Sequence, residues 1–323
     1  MPSGRTCETG TQSSPRAAAL ELLDSAPETE LPILEALLAR ALVRIGVPAE
    51  ALRRATAAWK SRADWETGLA YGEARLAAGD VRGAVETLDL AENMRRSIDD
   101  NGDARPPENA RVTLAVARAD AARALGDWEG ATKILQSVAA DRRRIDPLDE
   151  ADRLAALGSC AILLGDYTSA RAALETALTL YDVNPGSTDV ASTLDGLGRL
   201  ARHRDQPVRA VELHRAALER WVERLGPRSA PVASCRHALA QALHRTGDFA
   251  GALAEMELAA DRTARAFGEA HADTWISRFE LGRFEMDVGR SFEGLARMEE
   301  ARRRVAQLLG QDHPVVAAMS RWL

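Results

Sequence analysis

Aromatic residues make up only 4% of the 323-residue chain, and that scarcity already restricts how it can fold. Apolar residues reach 46%, so a core is available, but alanine and leucine must supply most of it. This is the composition of helices packed closely on helices through small side chains. Lysine is almost missing: Lys60 and Lys133 stand against 40 arginines, which reads as GC-rich coding of a bacterial kind and not as function. The net charge of -6 and the pI near 5.7 exclude a general binder of nucleic acid or anionic membrane. Cys7, Cys160 and Cys235 are odd in number and far apart, so they imply neither a disulfide framework nor a zinc site. No stretch approaches 18 uninterrupted apolar residues, and the opening MPSGRTCETGTQSS holds no apolar leader core. A cytoplasmic location without a membrane partner is expected. Gly-rich phosphate loops, His-Glu-x-x-His pairs and Gly-x-Ser-x-Gly elbows are absent too. The expectation is a protein that is no enzyme and needs no cofactor or metal.

What is present is repetition. The stretch RTGDFAGALAEMELAA (245–260) shares a skeleton with LLGDYTSARAALETALTL, LGDWEGATKILQSVAA and AGDVRGAVETLDLAEN. Aligned on their turns, the anchors are Gly46, Gly79, Gly126, Gly165, Asp205, Gly247 and Gly289, at intervals of 33, 47, 39, 40, 42 and 42 residues. Seven before each stand Ala39, Gly72, Ala119, Gly158, Gly198, Ala240 and Gly282. Five after stand Ala51, Ala84, Ala131, Ala170, Ala210, Ala252 and Gly294. Twelve after stand Ala58, Ala91, Val138, Ala177, Ala217, Ala259 and Ala301. Alanine and glycine together are about 26% of the chain, so five or six of these 21 places should hold them by chance; twenty do.

Helix geometry supplies the cause. Each anchor joins two amphipathic helices, and a left-handed residue ends the first. Where antiparallel helices cross closely, only a small side chain lets the backbones approach. The second helix needs two such residues seven apart, which is two turns along one face. Larger residues eight before the anchor (Leu38, Tyr71, Leu157, Leu197, Leu239, Leu281) fill the space beside the crossing, and Arg118 breaks that column.

These spacings resemble the tetratricopeptide repeat over roughly residues 31–310. The C-terminal half is similar to the 42-residue repeats of kinesin light chains and many bacterial signalling proteins. Its junctions WVERLGPRSAPVA, AFGEAHADT and LLGQDHPVVA echo that subfamily, with Asp312 placed to N-cap and Pro314 near the first turn of the next helix. The resemblance implies an all-α fold: a right-handed α-α superhelix of about seven helix pairs with terminal capping helices. Two family features are missing. Ala122, Ala161 and Ala201 replace a mid-helix aromatic, and the column nine before the anchor lacks the kinesin light chain's groove asparagine.

The expected organisation is a disordered tail over 1–14, an N-terminal capping helix over 15–30, the solenoid over 31–310 and a C-terminal capping helix over 311–323. In the last of these, Val315, Val316 and Met319 face the final repeat. The loop SIDDNGDARPPE (97–108) imitates a calcium loop at Asp99, Asn101, Gly102 and Glu108. Ser97 at the first ligand place, Arg105, Pro106 and Pro107 reduce it to a polar turn.

In the repeat family, first helices line the concave face, with groove positions ten, six, three and two before the anchor. Those positions hold mostly Leu69, Leu76, Val116, Ala155, Ile162 and Leu163 in the second to fourth repeats, with Glu73, Asp120 and Arg123 among them, a largely apolar half. In the fifth to seventh they hold Asp195, Arg199, Arg202, His203, His237, Gln241, His244, Arg245, Phe279 and Arg283. Arginine forms paired charge-assisted hydrogen bonds with carboxylates, and a concavity strengthens them. Arg199 and Arg202, three apart on one helix, can share a ligand. His237 and His244 are about 10 Å apart along their helix, too far for one metal ion. The expected partner is a protein or peptide, acidic or carboxylate-bearing, held in the groove. The competing reading is a peptide-sensing regulator acting with a kinase or other effector on a separate chain.

Overall fold

The computed structural model describes residues 26–101, 107, 109–140, 145–182, 190–227 and 229–323. The expected tail over 1–14 and most of the capping helix over 15–30 lie outside them, as do residues 102–106 and 108 of the polar loop. Seven helix pairs follow one another. They are α1 (Leu31–Ile45) with α2 (Pro48–Ser61), α3 (Trp65–Ala77) with α4 (Val81–Asn101), and α5 (Ala110–Ala124) with α6 (Trp128–Ala140). Next come α7 (Pro147–Leu164) with α8 (Tyr167–Asp182) and α9 (Val190–His203) with α10 (Pro207–Leu225). The series ends with α11 (Ala230–Thr246) and α12 (Phe249–Phe267), then α13 (Ala272–Asp287) and α14 (Ser291–Leu309). A short α15 (Pro314–Ser320) closes the chain, and no strand occurs among the described residues.

The turns explain why the pairs form where they do. All seven anchors sit in the left-handed region, six as glycine and the fifth as Asp205 at φ 57°. Aspartate is one of the few other side chains that visits it. In four repeats the next residue is Asp80, Asp127, Asp166 or Asp248. Each carboxylate accepts the N–H three residues on, at 2.8–3.1 Å, and so starts the second helix. Glycine stops one helix and aspartate begins the next. At the C-terminal end the cap is His313, whose Nδ1 accepts the Val315 N–H at 3.3 Å, and not Asp312; Pro314 occupies the first turn as its fixed φ favours.

All 21 positions of the three small-residue columns are buried. A fourth column, nine after the anchor, explains what the first must accommodate. It holds Ala55, Leu88, Leu135, Leu174, His214, Met256 and Met298, each fully buried. A Cβ at Gly158 would lie 2.6 Å from Leu174 Cγ, and one at Gly198 would lie 2.7 Å from the His214 ring. In the last pair backbone meets backbone: a Cβ at Gly294 would stand 2.5 Å from Gly282 O. The pairs are zipped through positions that tolerate little beyond a methyl group.

Successive pairs rotate enough for the array to return on itself. Helix α1 packs on α11, and a Cβ at the Gly79 turn would lie 3.1 Å from His271 Nε2. The first and second pairs therefore meet the sixth and seventh. On α15, Val316 and Met319 are buried against Trp275, Phe279 and Met298 of the last pair, with Val315 half-buried beside them.

Candidate functional site

First helices line the inside of the superhelix, and two of the cavities among the described residues lie there. The larger, about 680 Å³, is bounded by α1, α3, α5, α7 and α9. Leu76, Val116 and Ala155 of the expected apolar set line it, with Glu73, Asp120 and Arg123 among them. Leu69 and Ile162 are instead buried among the helices. The lining carries Arg40, Arg44 and Arg123 together with Glu73, Asp120 and Asp149. The position ten before the anchor, counted as groove, is mixed: Val116 and Ala155 reach the cavity, while Leu69 and Phe279 face the helix interface. Phe279 there is 2% exposed and belongs to the core. Arg40 grips Glu73 at 2.7 Å, and Arg123 reaches Asp120 at 3.1 Å. Asp120 is open to the cavity yet walled by low-dielectric protein. Desolvation therefore holds its carboxyl above the usual range, against the pull of Arg123.

The smaller cavity, about 250 Å³, lies between α9, α11 and α13 and is lined by Arg202, Gln241, His244, Arg245 and Arg283 among others. Five of the eight residues expected to form a cationic groove thus surround one space. Arg199 is turned away from it. Its guanidinium pairs back one helical turn with Asp195 Oδ2 at 3.2 Å and lines the larger cavity. Two arginines three apart on a helix diverge by about 60°, and here each follows its own partner. His203 is exposed, stacked on Tyr167 at 5.5 Å. His237 is half-buried behind Gln241.

Most charges around the smaller cavity are matched. His244 Nε2 meets Asp287 Oδ2 at 2.8 Å between the edges of Phe249 and Phe284. Arg245 bonds Asp205 at 2.7 Å and the Arg202 carbonyl at 3.2 Å. Arg283 pairs with Glu280 at 2.8 Å and lies 3.7 Å over the Trp322 ring. Arg202 is the exception. It donates to Gln241 Oε1, a neutral oxygen, and has no carboxylate within salt-bridge distance among the described residues. Burial, then the like charges of Arg199 and Arg245, depress its pKa, with Asp195 opposing. Gln241 is held for this task, since its Nε2 donates to His237 Nε2 at 3.0 Å. Burial first, then the neighbouring arginines, also pushes the His203 and His237 imidazoles below their ordinary value, Glu280 opposing at His237. Both shifts favour the neutral imidazole, while Arg202, Arg245 and Arg283 bring positive charge to the site.

Sequence reasoning missed Asp287 and Glu280. Asp287 stands two before its anchor, where the groove columns already pointed. Glu280 stands in the column searched for asparagine.

Comparison with known proteins agrees with this architecture. Residues 189–265 match the tetratricopeptide repeat family. No curated protein sequence matches it. Among solved structures, a chain of the APC/C hetero-tetramer Cut9-Hcn1 is similar at 14% identity and TM-score 0.63, over 95% of this chain and 51% of that one. This chain thus spans about half that chain's length. BtubC (BKLC) from P. vanneervenii is similar at 22% identity and TM-score 0.55, over 72% and 94% of the two chains. A Rap protein complexed with Competence and Sporulation Factor is similar at 11% identity and TM-score 0.63, over 86% and 78%. At these identities the likeness concerns the fold. No described helix is long and apolar enough to cross a membrane.

Proposed function

We propose that the chain is a non-enzymatic interaction module that holds a carboxylate-bearing segment of a protein partner inside its superhelix, with Arg202 as the anchor. One observation carries this reading: a desolvated guanidinium, flanked by two further arginines, whose hydrogen-bond partner is the neutral Gln241. An uncompensated buried cation is costly to the free protein. An entering carboxylate relieves that cost and gains a forked, charge-assisted pair of hydrogen bonds. Arg245 and Arg283 flank the anchor, while Phe284 offers an apolar wall to the neighbouring side chain of the ligand. Residues 31–310 serve as the binding solenoid, 15–30 and 311–323 as its caps, in the cytoplasm. A similar fold, the Rap protein, is named as complexed with Competence and Sporulation Factor, which supports a ligand-holding role for this shape.

The test is an anisotropy titration with labelled peptides of equal length and graded Asp and Glu content. Affinity should rise with carboxylate number and fall severalfold as salt is raised from about 0.05 to 0.5 M. Equal affinity for peptides in which every Asp and Glu is replaced by Asn and Gln would overturn the proposal.

A further inference from the structure

The fourth packing column contains one polar member. His214 stands where neighbouring repeats place Leu174 and Met256, is 0% exposed, and lies flat against Gly198. Two more chemistry-bearing side chains meet it from the adjoining helices: Asp195 on α9 and Cys235 on α11. His214 Nδ1 is 2.9 Å from Asp195 Oδ1, and the Cys235 thiol donates to the His214 carbonyl at 3.3 Å. One imidazole nitrogen, one carboxylate oxygen and the sulfur all lie within 4.8 Å of one another. Cys235 is 1% exposed, so the group is closed to a substrate and unsuited to catalysis.

We infer that Asp195, His214 and Cys235 form a structural binding site for a divalent transition cation of the zinc class, locking the fifth helix pair to the sixth. The donor set is the first reason: nitrogen, thiolate sulfur and carboxylate oxygen are ligands zinc accepts together, and hard cations such as magnesium avoid sulfur. Spacing is the second. Metal–ligand bonds of about 2.0–2.3 Å in a tetrahedron set ligand atoms roughly 3.3–3.8 Å apart, within the span observed. The third reason is independent of both. His214 Nε2 is buried without a hydrogen-bond partner among the described residues, so one imidazole nitrogen is left unsatisfied there. Charge also balances. The thiol proton leaves to bulk water on binding, and the thiolate with the Asp195 carboxylate neutralises the dication. Burial pushes the free Cys235 thiol well up, so without a cation the sulfur stays protonated. Arg199, on the second oxygen of Asp195, orients the carboxylate from outside.

The experiment uses the full chain, stripped with a chelator and titrated with Co²⁺ or Zn²⁺. Cobalt should produce a sulfur-to-metal charge-transfer band, and zinc should raise the melting temperature by about 3–5 °C when present at a hundred times its dissociation constant. Cys235→Ser should lose the band; Cys160→Ser, at the other buried thiol, should keep it. His214→Leu restores the residue type of the column, so it should fold and melt independently of zinc. An absent band in the native chain, or an equal zinc response in His214→Leu, would overturn the assignment.

Discussion

Arg202→Glu should weaken binding of an acidic peptide by about 100-fold or more, the size expected when one member of a buried charge pair is reversed. The free protein should melt at the native temperature or slightly above it, because the change removes a desolvated cation that Arg199 and Arg245 already repel. Loss of function joined to unchanged or improved stability marks a residue kept for its ligand. Arg199→Gln is the informative contrast. That side chain is committed to Asp195 and borders the larger cavity, so peptide affinity should move less than about fivefold. If both substitutions weakened binding equally, the two cavities would be acting as one site. Anisotropy titration and thermal melting of the two variants separate these outcomes.

Gly294→Leu should destabilise the last helix pair by about 3 kcal/mol or more. Intrinsic helix propensity points the other way, favouring leucine over glycine by nearly 1 kcal/mol. The sign of the result therefore distinguishes local preference from packing. Space decides it, since even a Cβ at Gly294 would stand 2.5 Å from the Gly282 carbonyl, leaving no room for a larger branch. Because each pair leans chiefly on its neighbours, the loss should be regional. Hydrogen exchange should show α13, α14 and α15 losing protection while α3 to α8 keep theirs. An unchanged or raised melting temperature would mean that these helices do not cross at Gly282 and Gly294.

The repeat was legible because its cause is local. A glycine needed for a left-handed turn and a small residue needed at a crossing recur at fixed offsets whatever surrounds them, so the anchors and all three columns could be read from residue type. The groove was legible only in part. The column ten before the anchor contains Asp195 and His237 but also Leu69 and Phe279, and which of its members face the helix interface shows only once the pairs are stacked. Arg199 and Arg202 looked like a pair because they share a helix; their partners, Asp195 and Gln241, draw them into separate cavities. The contact of α1 with α11 arises from small rotations accumulated over five steps, and no single repeat encodes it. His214 is the opposite case. Its signal lies in residue type alone, as one histidine in a column otherwise of Ala, Leu and Met nine after the anchor.

Closure of the superhelix, which brings the first two helix pairs against the last two, sets the shape inside which both cavities lie. It is measured most directly by the distance between spin labels carried on unnatural amino acids at positions Arg82 and Ala270, exposed residues flanking the approach of Gly79 to His271. An open arc would separate the second and seventh pairs by five helix-pair steps of about 10 Å, roughly 50 Å in all. Closure predicts a single population at less than half that separation, and a broad distribution centred near the longer distance would contradict it.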